Sequence, residues 1–386
     1  MKLEGIRVID LSQFLPGPHL TMMMADHGAE VIKVENAGEG EPTRHIGPRK
    51  AGQTIYFRNT QRGKQSLRLN LKSGEGREIL LRLAESADVL VESFRPGVMA
   101  RLGLDRDTVR ARAPRLVYCS ISAFGQEGPL SGRPAHDLSI QAQAGVTAFS
   151  TGADGKPVIP AMPAADMLGS SMALTGILMA LLRRERTGRG DTLDISMFDG
   201  VISWCVGTTG PVFAEGRSPH PPDERTMGGA AFYQVYETKD GRYITLGGSE
   251  LKFARNLLNA LEREDLIELC GPPYGARQQP VKDFLAETFR SRTQAQWVEW
   301  FQDKDVCFGP VRQLHEAFAE PFLEERGMLL RDEAGSEHIG IPIKFQEEPG
   351  RVNFHAPDHG EHTEAILSGL GYDGAGIAAL RDKGVI

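Results

Sequence analysis

The feature that most constrains this chain is a strand–helix alternation repeated through its first 125 residues. IRVIDL (6–11) reads as a buried strand, PGPHLTMMMADHG (16–28) as a helix opened by proline and closed by glycine, and AEVIKVE (29–35) as the next strand. The cycle returns with SLRLNL (66–71), the helix GEGREILLRLAES (74–86) and ADVLVES (87–93). A helix near 106–112 and the strand PRLVYCSISAFG (114–125) complete it. Apolar strands separated by helices need crossover connections, and crossovers produce a parallel sheet covered on both faces. The expected class is therefore α/β. No GxGxxG follows any of these strands, so dinucleotide binding loses its main support.

Downstream, a long helix is expected to follow Asp166 and run to about Arg186, and TGRGDTLDIS (187–196) turns into a further strand. Near 215–228 the composition shifts to a proline- and glycine-rich linker. AFYQVYETKDGRYITLGG (231–248) then reads as a hairpin, followed by the helices LKFARNLLNALERE and TQAQWVEWFQD. These patterns divide the chain into a large domain over 1–215, completed by 326–386, and a small α+β domain over 225–325.

Composition excludes some functions. The net charge of −7 over 386 residues argues against a nucleic-acid partner, which calls for a basic surface. MKLEGIRVIDLSQ lacks the apolar core of a signal peptide, and MALTGILMALL (172–182) is too short to span a bilayer. The 4 cysteines form no CxxC, which suits thiols in a reducing compartment. A cytoplasmic protein with no membrane partner is expected.

Four ionisable residues stand out. Asp166 precedes the long apolar helix, where it can cap free N–H groups or serve as a base or nucleophile. His136 follows a Gly- and Pro-rich loop at the start of another apolar segment, with Asp137 beside it as a cap or an orienting partner. Glu250 begins the helix after the hairpin. Basic residues cluster in RHIGPRK (44–50), QRGK (61–64) and FRPGVMAR (94–101), at the strand ends where phosphorylated ligands bind doubly wound sheets. HAPDHGEH (355–362) groups three histidines in a loop, weak grounds for a metal site. P-loop, GxSxG and HExxH motifs are absent.

Taken together, GIRVIDLSQFLPGPHLTMMMADHGAEVIKVE, RGKQSLRLNLK, FRPGVMARLGL, PRLVYCSISAFGQEGP, the AHD triplet and RTGRGDTLDISMFDG resemble the family III CoA-transferases. That family also holds the α-methylacyl-CoA racemases. The resemblance implies a Rossmann-like large domain, a smaller second domain and an interlocked homodimer. It also implies an acyl-CoA thioester substrate, with no cofactor beyond its CoA moiety and no metal. Asp166 matches an aspartate that attacks the thioester in the transferases and serves as an acid/base in the racemases. His136 matches the second racemase base, and Glu250 a glutamate near that histidine. GGAAFYQVYETKDG and GGSELKF are closer to the racemases, whereas VIKVENAGEGEPTR is closer to the transferases and lacks the racemases' arginine.

By the same resemblance Phe94, Arg95 and Arg101 meet the nucleotide end of CoA, with Leu71 and Lys72 near the adenine. Charge alone adds Arg62 and Lys64. Racemisation through an enolate between His136 and Asp166 is the expected chemistry, and CoA transfer through an aspartyl-CoA thioester at Asp166 the alternative. In the first scheme Asp137 or Glu250 orients His136, and N–H groups at the start of the helix after Asp166 hold the enolate oxygen.

Overall fold

The computed structural model describes residues 1–152 and 154–386. In chain order it forms β1 (Arg7–Asp10), α1 (Pro16–Asp26), β2 (Glu30–Glu35), α2 (Ile55–Gln61), β3 (Gln65–Arg68), α3 (Gly74–Glu85) and β4 (Val89–Glu92). These are followed by α4 (Arg106–Arg112), β5 (Val117–Ser122), α5 (Asp137–Gln143), α6 (Ala164–Thr187), β6 (Thr192–Ser196) and α7 (Met197–Trp204). The six strands lie in the order 3-2-1-4-5-6, every neighbouring pair parallel. This is the Rossmann strand order, and its direction reverses between β1 and β4.

Burial on both faces explains the near-continuous apolar strands. Ile9, Ile32, Leu67, Leu90 and Tyr118 enter one core with Ile79 and Leu83 of α3, Val109 of α4, and Leu367 and Leu380 from the C-terminal segment. Val8, Val31, Val89, Val91 and Val117 point the other way, toward Leu20 of α1, Ile140 of α5 and Ile177 of α6. Alternate residues of one strand thus serve opposite layers.

The apolar run at 172–182 is the middle of α6, which has 24 residues. By length and composition α6 could cross a membrane, yet half of its most apolar window is buried, against β5, α1 and α7. Gly169 permits that packing, because a Cβ there would lie 2.7 Å from Met197 Cγ.

The chain divides into two compact units. The first comprises Met1–Thr147, Ile159–Trp204 and Pro321–Ile386, and the second Ala148–Val158 and Cys205–Glu320. In the second unit β7 (Tyr233–Glu237) and β8 (Tyr243–Gly247) form the hairpin, and β9 (Phe308–Pro310) adds to the free edge of β8. Their core is aromatic, with Tyr236, Phe289, Trp297 and Phe301 packed around Ile244 and Leu257.

Two basic residues expected to meet CoA belong instead to the core of the first unit. Arg62 is 1% exposed and grips Asp26 of α1 through Nη2 at 2.6 Å and Nε at 3.2 Å. Lys64 is 2% exposed, and its Nζ donates to Asp10 Oδ2, Pro18 O and Gln61 Oε1 at 2.9–3.0 Å. Both cations are spent on buried partners, because an unpaired charge in that position would be far costlier. Arg62→Ala leaves Asp26 buried and unpaired, so chemical denaturation should show a loss of about 3–5 kcal/mol.

Candidate functional site

Loops leaving the carboxyl ends of β1, β4 and β5 meet where the strand order reverses, the place at which open α/β sheets bind ligands. A cavity of about 390 Å³ opens there. It is lined by Gln13 and Phe14 after β1, Phe94 and Arg95 after β4, Ser122 at the end of β5, Arg133 and His136 before α5, and Asp166 of α6. The two residues that sequence pairs as bases therefore share one cavity. Arg95 and Arg133 also face it, and neither side chain has an ion pair among the described residues.

His136 occupies the N-cap position of α5 in an extended conformation, but its side chain does not cap the helix. The imidazole is exposed and makes no hydrogen bond among the described residues. Its directional contact is with Phe14, edge to face, with ring centroids 6.2 Å apart and planes at 89°. Phe14 itself has φ +63°, a left-handed conformation that costs a bulky residue about 1–3 kcal/mol. The strain is held in place by Glu41 Oε1, which accepts the Phe14 N–H at 2.9 Å.

Asp137 does something the sequence did not suggest. Its Oδ1 accepts Ala165 N–H at 2.7 Å and Asp166 N–H at 3.2 Å, while Oδ2 accepts Gln141 Nε2 at 2.6 Å. It therefore caps α6, whose own N-cap is Pro163, a residue with no polar side chain. Three expectations change. Asp166 is the third residue of α6 and caps nothing, Asp137 does not orient the imidazole, and the first N–H groups of α6 are not free for an enolate oxygen.

Capping by a carboxylate also tunes its neighbour. Burial, reinforced by the negative charge of Asp137, pushes the Asp166 carboxyl up to about 6. The phenol of Tyr56, on α2, is pushed up to about 12 by burial and by the charges of Asp166 and Glu41, so it remains a proton donor. Below the loop carrying Phe94, buried Glu92 accepts the Phe94 N–H at 2.8 Å, and burial raises its carboxyl to about 7.

A second cavity, of about 480 Å³, lies beyond β1, β2 and β3. Leu71, Lys72 and Phe94 all line it, and Gln13, Phe94 and Val98 line both cavities. Of the other residues expected at the nucleotide, Arg95 faces the first cavity. Arg101 is exposed on the short helix Val98–Arg101 and lines neither. The loop after β2 carries Asn36 in place of an arginine, and its side chain ties Gly38, Glu39 and Gly40 into a turn. Glu250 is exposed in the second unit at the N-cap of helix Leu251–Ala260, with no capping bond from its side chain.

The C-terminal histidines form a clasp. His355 pairs with Glu361 at 2.9 Å, His359 meets Asn36 O at 2.9 Å, and His362 Nδ1 accepts Ser66 N–H at 3.3 Å. Among the described residues no group of His, Cys, Asp and Glu could hold a metal ion. Sequence reasoning missed Phe14 and Arg133 as residues lining the site. Only the positive charge of Arg133, beside the AHD triplet, was a signal that could have been read.

With this geometry in place, comparison with known proteins is decisive at the level of the family. The model for CoA-transferase family III matches residues 3–363, and the chain belongs to that family. It is 30% identical over 400 residues to human succinyl-CoA:glutarate CoA-transferase, covering all of this chain and 90% of the relative. It is 32% identical over 391 residues to mouse alpha-methylacyl-CoA racemase, covering all of this chain and 98% of the relative. Among solved structures, a CAIB/BAIF family protein from Brucella suis superposes with a TM-score of 0.81 at 28% identity, over 95% of this chain and 99% of that one.

The tuning of Asp166 can be checked directly. Asp137→Asn keeps an acceptor for the α6 N–H groups but removes the charge. The Asp166 carboxyl, followed by carbon-detected NMR, should titrate lower than in wild type yet stay above the ordinary value, because burial, the larger cause, remains. Asp137→Ala should also cost about 0.5–2 kcal/mol of stability through the lost cap.

Proposed function

We propose that this protein is an acyl-CoA racemase or epimerase that inverts C2 of a 2-methylacyl-CoA by proton transfer between two bases. The reading is carried by one observation: His136 and Asp166 line the same cavity. The α-carbon sits between them. Neutral His136 takes the proton from one face while protonated Asp166 returns one to the other, and the reverse direction exchanges the roles. An Asp166 carboxyl at about 6 suits a group that must both accept and donate near neutrality.

The CoA handle lies in the neighbouring cavity, with Leu71 and Lys72 toward the adenine and Phe94 at the junction of the two. Arg95 and Arg133 supply positive charge for its phosphates. Binding this remote handle places the acyl group between the bases. The working form is a homodimer. Exposed Met179 and Leu182 of α6 and Trp204 of α7, at 65–68% exposure, supply an apolar face for it.

CoA transfer is the second reading. In its favour are the transferase relatives at the same level of identity and the two unpaired arginines, which suit an acceptor carboxylate. Asp166 would then attack the thioester carbon, CoA thiolate would leave, and a mixed anhydride would form.

Incubating (R)- and (S)-2-methylacyl-CoA in D2O separates the two. Exchange with inversion in wild type, lost in His136→Ala, is the expected result. A hydroxylamine-sensitive adduct on Asp166 without α-proton exchange would establish transfer instead. In His136→Ala any residual one-sided exchange depends on ionised Asp166. It should rise as pH rises through about 6 and level off above, because only the carboxylate is a base.

A further inference from the structure

Charge develops on the thioester oxygen in either chemistry, as an enolate in racemisation or a tetrahedral oxyanion in transfer. Such an oxygen needs a preorganised donor in a site that excludes water. The N–H groups of Ala165 and Asp166 are committed to Asp137, and that of Met167 to Pro163 O. The first turn of α6 is therefore not the oxyanion site.

One serine that lines the cavity has a hydroxyl with no such commitment. Ser122, the last residue of β5, is 6% exposed, and its Oγ is buried with no hydrogen-bond partner among the described residues. It lines the same cavity as His136 and Asp166. Nearby serines differ in this respect. Ser93 Oγ accepts the Gln13 N–H at 2.9 Å, and Ser196 Oγ, across the β5–β6 register from Ser122, accepts the Asp199 N–H at 3.1 Å. An unpaired buried hydroxyl is unfavourable in the folded chain alone, and it becomes favourable once a ligand atom completes it. The strand end also fixes its position, since Ser122 pairs with Ser196 in the parallel ladder and Ile121 before it pairs with Ile195.

We propose that Ser122 is a catalytic residue whose hydroxyl donates to the thioester carbonyl oxygen and stabilises the negative charge that forms there. The donor stays protonated throughout, since the proton leaving the α-carbon goes to His136 or Asp166. No further reactant is needed. The inference takes its enolate from the racemase reading, but the donor acts on the thioester oxygen in both.

Three measurements on Ser122→Ala and Ser122→Thr test it. In Ser122→Ala, kcat for α-proton exchange should fall by about 10²-fold with KM little changed, and Ser122→Thr, which keeps a hydroxyl, should recover much of the loss. Thermal unfolding of Ser122→Ala should occur at or above the wild-type midpoint, because the mutation removes an unpaired buried polar group. The third readout needs no turnover. The infrared carbonyl band of bound acyl-CoA labelled with carbon-13 should move to higher frequency in Ser122→Ala and return in Ser122→Thr. A band that does not move in Ser122→Ala overturns the inference, as does a kcat within twofold of wild type in an enzyme that exchanges the α-proton. If wild type exchanges no α-proton but the band shifts as described, the racemase reading fails and the role of Ser122 stands.

Discussion

The large unit is organised around a buried carboxylate, Asp10, at the carboxyl end of β1. It receives Lys64 at 3.0 Å and Lys33 at 3.7 Å, and it accepts the Ser12 N–H and the Thr21 hydroxyl. Burial alone would raise its carboxyl. The two lysines and two hydroxyls hold it well below the usual carboxylate range. Each partner belongs to a different piece of chain: Thr21 to α1, Lys33 to β2, Lys64 to the turn before β3. Lys33 also pairs with Glu41 at 3.1 Å, and Glu41 in turn holds the strained Phe14. A single desolvated network thus links the first βαβ unit to the loop that faces His136. Gly17 belongs to the same constraint, because a Cβ there would lie 2.1 Å from Ser12 Oγ. Such networks contribute little to stability compared with apolar packing, but they penalise every arrangement in which one partner is missing.

A second carboxylate does comparable work on the other side of the cavity. Asp137 stands beside His136 in sequence and caps the helix of Asp166 in space, so one side chain fixes the separation of the two expected bases. Its charge also favours protonated Asp166, whereas the positive end of the α6 dipole favours the ionised form. The higher value shows that burial and Asp137 prevail.

Much of this architecture was legible in the chain. The strand–helix alternation predicted the parallel sheet because burial on both faces leaves a periodic apolar record, and that record needs no knowledge of partners. The hairpin at 231–248 was legible for the same local reason. What sequence could not supply was the identity of partners far along the chain. Arg62 and Lys64 looked like surface cations because most are, and their buried acids lie 36 and 54 residues away. Asp166 looked like a cap because it is an acid beside a helix, but the acid that caps sits 29 residues earlier, at the first position of a different helix. The positive φ of Phe14 leaves no trace in composition, since the usual sign of that conformation is glycine.

The division between racemase and transferase chemistry lies in a narrower place than the division between their names. Both need a carboxylate at the position of Asp166, both need the CoA handle anchored, and both place negative charge on the thioester oxygen. A carboxyl at about 6 is roughly nine-tenths ionised at pH 7, enough for a nucleophile, and the remaining tenth is enough for a proton donor. Asp166 alone therefore discriminates nothing. Discrimination falls to His136, which has no part in attack on a thioester but is indispensable if a proton must arrive on one face and leave from the other. Its imidazole is exposed, makes no hydrogen bond among the described residues, and meets edge to face an aromatic ring held at a backbone cost. In the proposed racemase reading, this exposed imidazole is the group placed to act as the second base, across the cavity it shares with Asp166.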